Sequence, residues 1–123
     1  MARTSRTTSP EVVHQGPVEA HTTRLDSGYT VDYLTFSDVL DMTPILASLP
    51  DGRCACPHWG QVQKGRMTVH YDGYDETVEA GDAFHMTPGH VPVFAAGTEV
   101  LMFSPTDQVA ATEAAIQAAM AGT

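Results

Sequence analysis

Positive charge is scarce in this chain: six Lys and Arg stand against fifteen Asp and Glu, for a net charge of −9. Protonating all six histidines would still leave it negative. Non-specific affinity for nucleic acid comes from cations that neutralise phosphates, so no nucleic-acid partner is expected. Long apolar runs are missing as well. The longest stretches are a few residues, far short of the roughly 20 that span a bilayer, so no membrane helix is expected. The N-terminal MARTSRTTSP is basic and polar with no apolar segment after it, so neither is a secretory leader. Cysteine is nearly absent. Cys54 and Cys56 are two apart, too close on an extended strand to bridge each other comfortably. Reduced thiols and a cytoplasmic location are expected.

The rest is ordinary for a globular protein. Hydrophobic residues make up 42% and charged ones 17% of 123 residues, which excludes global disorder and fits one domain with a modest core. Turn chemistry recurs every 8 to 12 residues or so, at Asp26-Ser27-Gly28, Pro50-Asp51-Gly52, Asp72-Gly73, Gly81-Asp82, Pro88-Gly89 and Ala96-Gly97. Between these lie short runs of β-formers: 29–36, 61–63, 67–71, 77–79, 83–86, 91–94 and 99–103. Such spacing predicts an all-β sandwich or barrel. The strongest hairpin signal is at Asp72-Gly73. Pro44 can start a single helical turn within 38–49.

A C-terminal helix is expected from Ser104, with Ser104 as cap, Pro105 in the first helical position and Asp107 completing a capping-box-like pattern. Alanines fill it and Gly122 ends it. Its narrow stripe of Val109, Ile116 and Met120 suits packing on the barrel or on a partner subunit. The domain plan is thus a disordered tail over 1–10, a barrel over 11–104, and a helix over 105–121.

The stretch that carries chemistry is Cys54-Ala-Cys56-Pro-His58-Trp-Gly60. Side chains alternate on a strand, so 54, 56 and 58 share a face. Cys56 and His58 would have Cα atoms about 6.6 Å apart, within reach of one metal ion. Cys54, about 13 Å from His58 on an extended chain, joins them only if the strand bends or bulges. Thiolate and imidazole together suit Zn²⁺, with Fe, Ni or Cu also open, better than Mg²⁺ or Ca²⁺. The bland alternative is that the cysteines fill the barrel and the histidines bond to backbone.

A second informative stretch runs Gly81-Asp82-Ala-Phe84-His85-Met-Thr-Pro88-Gly89-His90-Val-Pro92. Over roughly residues 50–104 the two stretches resemble the cupin superfamily, whose small jelly-roll β-barrels are built on two motifs. Gly65 in Gln61-Val-Gln-Lys-Gly-Arg66, and Gly81, Asp82 and Gly89, stand where that pattern has them. The chain also looks like a subgroup of small cupin-domain proteins with CPHWG and PGHxP. The family's usual three histidines and one glutamate are absent. His58 stands at the glutamate position, Cys54 at the second histidine, Gly52 at the first and Pro92 at the third, with His90 two residues earlier. The candidate set is therefore displaced: Cys54, Cys56, His58 and His90.

Four ligands would close a tetrahedral structural site, and three would leave a position for water or substrate. The resemblance implies a metal-dependent enzyme acting on a small molecule in the barrel pocket, by isomerase, cyclase, lyase or hydrolase chemistry, with His85 as candidate acid/base. A non-catalytic binding or sensor module with a structural metal is the alternative. A redox role for the cysteine pair is weaker, since reactive thiols need an electropositive setting. His70 is expected on a solvent face. Cupin barrels commonly pair through edge strands, so a homodimer is expected, with Trp59, the N-terminal segment and the C-terminal helix as candidate interfaces.

Overall fold

A computed structural model describes residues 3–121. Ten strands form two antiparallel sheets. They are β1 (Glu11–Gln15), β2 (Val18–Arg24), β3 (Tyr29–Phe36), β4 (Leu40–Asp41), β5 (His58–Lys64), β6 (Arg66–Tyr71), β7 (Tyr74–Glu79), β8 (Ala83–Met86), β9 (Val91–Phe94) and β10 (Glu99–Pro105). The larger sheet has the order β1-β2-β3-β10-β5-β8 and the smaller β4-β9-β6-β7. The described residues also form two α-helices, α1 (Thr43–Leu46) and α2 (Thr106–Ala121), and a 3-10 turn at Pro50–Gly52. No helix among the described residues is long and apolar enough to cross a membrane.

The period-2 pattern is what closes the two sheets on each other. Val100 and Met102 on β10, Val62 on β5, Met67 and Val69 on β6 and Phe94 on β9 face one interior. Phe36 and Phe94 stack there with centroids 4.1 Å apart. Each buried side chain of this kind contributes roughly 1.5–3 kcal/mol of transfer free energy. The hairpin expected at Asp72-Gly73 joins β6 to β7, with Tyr71 opposite Tyr74. Gly65, between β5 and β6, has φ +73, and a Cβ there would sit 2.8 Å from the Thr98 Cα. Only glycine satisfies both conditions. Asp82 fixes the next turn by accepting the Glu79 N–H at 2.9 Å.

The β1–β2 hairpin and β4 were not foreseen, because their residues lack a clean alternation of apolar and polar. The expected capping box is also absent. Ser104 lies in β10, fully buried, and α2 begins at Thr106. Pairing with Thr30 and Phe103 with Val31 holds this end of β10 in the sheet, which outweighs a local cap. The Met120 side chain and Gly122, parts of the expected helix, lie outside the described residues.

Of the segment read as a tail, residues 3–10 lie against the outer face of the large sheet. Arg6 donates to Thr35 Oγ1 at 2.6 Å and Gln63 Oε1 at 3.0 Å. Its guanidinium also sits 5.3 Å above the Tyr33 ring.

Candidate metal centre

Backbone pairing assembles the centre. β5 and β8 pair antiparallel with His58 opposite Met86. That register lapses over 55–57 and 87–89, then resumes as an isolated bridge with Cys54 opposite His90. The bridge is held by Cys54 N–H to His90 O at 3.1 Å and Gly89 N–H to Cys54 O at 2.8 Å. A tight turn just before it sets the entry, where Asp51 and Gly52 have φ of 59 and 66. The Arg53 guanidinium ties the two stretches further by donating to Gly89 O at 3.2 Å.

The result brings Cys54, His58 and His90 together, with one ligand atom from each within 4.8 Å of the others. All three are buried. Imidazole orientation is already set. His90 Nδ1 lies 2.7 Å from Thr87 O, and a carbonyl only accepts, so Nδ1 carries the proton and Nε2 keeps its lone pair. His58 Nδ1 lies 2.6 Å from Ser104 Oγ. With Ser104 accepting, His58 also presents a bare Nε2. Tying the far nitrogen to an oxygen is how proteins orient metal-binding histidines.

The electrostatics agree with neutral imidazoles. Burial, with His90 close by, holds His58 down at about 3. Burial likewise lowers His90 against the opposing effect of its bond to Thr87. Burial raises the Cys54 thiol, so it ionises readily only when a cation shares the site.

The other expected site residues lie elsewhere. Cys56 is buried but outside the trio. Its Sγ points to Pro57 O at 3.6 Å, in a small apolar cluster with Leu46 and Val91, against which Val109 and Ile116 of α2 pack. Burial, then Cys54 and the acidic side chains of α2, push its pKa up to about 12. The expectation that Cys56 joins His58 more readily than Cys54 does assumed an extended strand through 54–58, and the lapse in pairing reverses that preference. His85 sits on the outer face, stacked on Trp59 at 4.7 Å and 7°. It pairs with Trp59 across β5–β8, and β5 alternation sends 59 outward and 58 inward. His85 is therefore not an acid/base group of this centre. His70, on its solvent-facing edge, contacts Asp75 at 2.7 Å.

Two polar residues, one at the centre and one on the same large sheet, escaped notice in the sequence. Ser104 is one, and the parity of Val100 and Met102 would have marked it as inward. Asp32 is the other, on β3 with the parity of Phe36; its carboxylate accepts from Thr22 Oγ1 at 2.5 Å, and burial raises its pKa. A depression of about 450 Å³ at Gly65, Arg66 and Glu79 and one of about 200 Å³ at Val39 and Thr68 lie away from Cys54, His58 and His90.

Replacing Ser104 by alanine removes the partner of a buried imidazole nitrogen. Zinc affinity is expected to fall about 10–100-fold, read by competition with a chromophoric chelator, while Ser104→Thr restores most of it. Equal affinity in Ser104→Ala would show that Ser104 does not orient His58.

No family model matches the sequence, and no curated protein matches it. Solved structures do. One of unknown function from Rhizobium leguminosarum bv. viciae 3841 superposes with a TM-score of 0.60 at 17% identity, over 85% of this chain and 94% of that one. An RmlC-like cupin from Shewanella frigidimarina gives 0.54 at 19%, over 77% and 83%. The fold is that of a cupin. Another cupin-like neighbour, the polyketide cyclase RemF from Streptomyces resistomycificus, gives 0.57 at 15%, over 86% and 80%. At these identities the likeness carries the fold alone, and the site must be read from this chain's own residues.

Proposed function

We propose that this cupin binds a divalent metal, zinc first among the candidates, through Cys54, His58 and His90, and uses it on a small molecule as a cytoplasmic homodimer. The observation behind this is the convergence of one thiol and two imidazoles with Nδ1 of both rings engaged. One sulfur and two nitrogens form a borderline-soft set of three, as in zinc sites that keep a fourth position for water or substrate. The bound ion would supply Lewis-acid polarisation, in chemistry of the isomerase, cyclase, lyase or hydrolase type. The chain's part is to hold the two imidazoles neutral, to keep their orientation through Ser104 and Thr87, and to exclude bulk water.

A second reading has an observation of its own. Cys54 and His90 are 6% and 1% exposed, and α2 packs over the cluster that contains Cys54. Such enclosure favours a structural ion in a non-catalytic binding or sensor protein. Cobalt substitution separates the two. An open fourth position predicts a tetrahedral Co²⁺ spectrum with a thiolate charge-transfer band that shifts on adding azide or cyanide. A thiolate band that ignores exogenous ligands selects the structural reading, and the absence of any such band removes the site.

A further inference from the structure

Two of the three candidate ligands have their far nitrogen tied to an oxygen, His58 to Ser104 and His90 to Thr87. The sulfur of Cys54 is placed differently. As a thiol it points at Cys56 O, 3.9 Å away. Once a metal displaces its proton that contact turns unfavourable, because a thiolate and a carbonyl are both acceptors. The Cys54 backbone N–H is already spent on His90 O. A buried thiolate here needs a donor from another element.

α2 is the element that covers it. Val109 and Ile116 pack on the cluster of Leu46, Cys54, Cys56 and Val91. They are about two turns apart on one helix face, and Thr112, three residues after one and four before the other, lies between them. All three are half-buried, whereas residues 110, 111, 113, 114 and 115 are exposed. Thr112 therefore faces Cys54, and its hydroxyl favours the ionised sulfur as a hydrogen-bond donor. α2 carries no Lys, Arg or His. The charges that it does bring to this end, Asp107 and Glu113, oppose a thiolate, as they do at Cys56.

We propose that Thr112 is a positioning residue of the metal centre, its Oγ1–H donating to the Cys54 thiolate, so that metal binding and docking of α2 reinforce each other. This rests on the three-ligand reading above and assigns the helix a part in it. As the ion enters, Cys54 loses its proton to solvent and Thr112 keeps its own. A neutral thiol gains little from the hydroxyl, while a metal-bound thiolate gains a charge-assisted bond. The helix is lightly attached, since none of the side chains over 106–119 is fully buried. By linkage the ion must hold α2 down by the same factor by which α2 holds the ion.

Wild-type protein, Thr112→Val and Thr112→Ser decide this, with zinc and cobalt as the probes. Valine keeps the branched shape of threonine without the hydroxyl, so metal-free Thr112→Val should melt no lower than metal-free wild type. Its zinc affinity, read by chelator competition, should fall about tenfold or more and return in Thr112→Ser. In the cobalt forms the thiolate-to-metal band should move to lower energy in Thr112→Val, because a sulfur without its donor gives up electron density more easily. The band should keep its place in Thr112→Ser. Amide exchange over α2 should slow when zinc is added to wild type, and slow less in Thr112→Val. Wild-type affinity and an unmoved band in Thr112→Val overturn the proposal, the hydroxyl then being spent on its own helix. Affinity lost equally in Thr112→Ser, or a lowered melting temperature of metal-free Thr112→Val, assigns residue 112 to packing and overturns it as well. Wild-type protein that gives no thiolate band overturns the centre itself, whatever Thr112 does.

Discussion

Exchanging Cys54 for alanine is expected to abolish metal binding, and the same exchange at Cys56 to leave it intact. That is the largest effect expected of any substitution here, and it opposes the order that extended-strand spacing suggests. Cys54 stands across a backbone bridge from His90, with its ligand atom within 4.8 Å of those of both histidines. Cys56 points away, towards Pro57 O. Removing one of three ligands should weaken zinc by more than about 100-fold, beyond what loss of an orienting partner costs. His58→Ala and His90→Ala should match Cys54→Ala. Elemental analysis of protein purified under reducing conditions reads the result, with melting temperatures alongside. Full metal in Cys54→Ala would refute the three-ligand centre. Metal lost from Cys56→Ala as well, with a native far-UV spectrum and a lowered melting temperature, would instead indicate a four-ligand, closed site.

The contrast between those two cysteines shows where the sequence stops being legible. Strands 29–36, 83–86 and 91–94 match β3, β8 and β9 at both ends, because turns rich in Gly, Pro and Asp delimit them. The inward parity of 54, 56 and 58 also holds as burial. Which of them meet one another is different information. It depends on the lapse of pairing between His58–Met86 and Cys54–His90, a property of two segments far apart in the chain. No local pattern encodes it. His85 is a simpler case: its orientation follows from its partner Trp59, and that register was unknown until β5 and β8 were paired. Ser104 was read as a helix cap because capping chemistry is local, and the sheet contacts that claim it instead are not.

Those same buried histidines give the metal-free protein a marked pH dependence. Stability should fall as pH drops from 7 to 5. In the folded chain, burial and the neighbouring His90 hold His58 at about 3, against an ordinary value of 6.5. Below 6.5 the unfolded chain takes up a proton that the folded chain refuses, so stability is complete above that pH and drains away as pH falls towards 3. The slope approaches about 1.4 kcal/mol per pH unit for one such histidine. His90 is lowered by burial too and adds in the same direction. Asp32 acts oppositely. Burial raises its carboxyl despite the Thr22 bond and Arg24, so the folded state binds that proton more tightly and gains stability as pH falls through the raised value. That gain ends at the carboxyl's ordinary value of 3.8, and above it Asp32 offsets part of the histidine slope. Urea midpoints of chelator-treated, reduced protein at pH 7, 6 and 5 measure this directly. His58→Asn, with no imidazole to protonate, should have a visibly shallower slope. Midpoints that stay level from pH 7 to 5 would mean that the imidazoles are hydrated in the folded protein, and that the centre is open to water before any metal arrives.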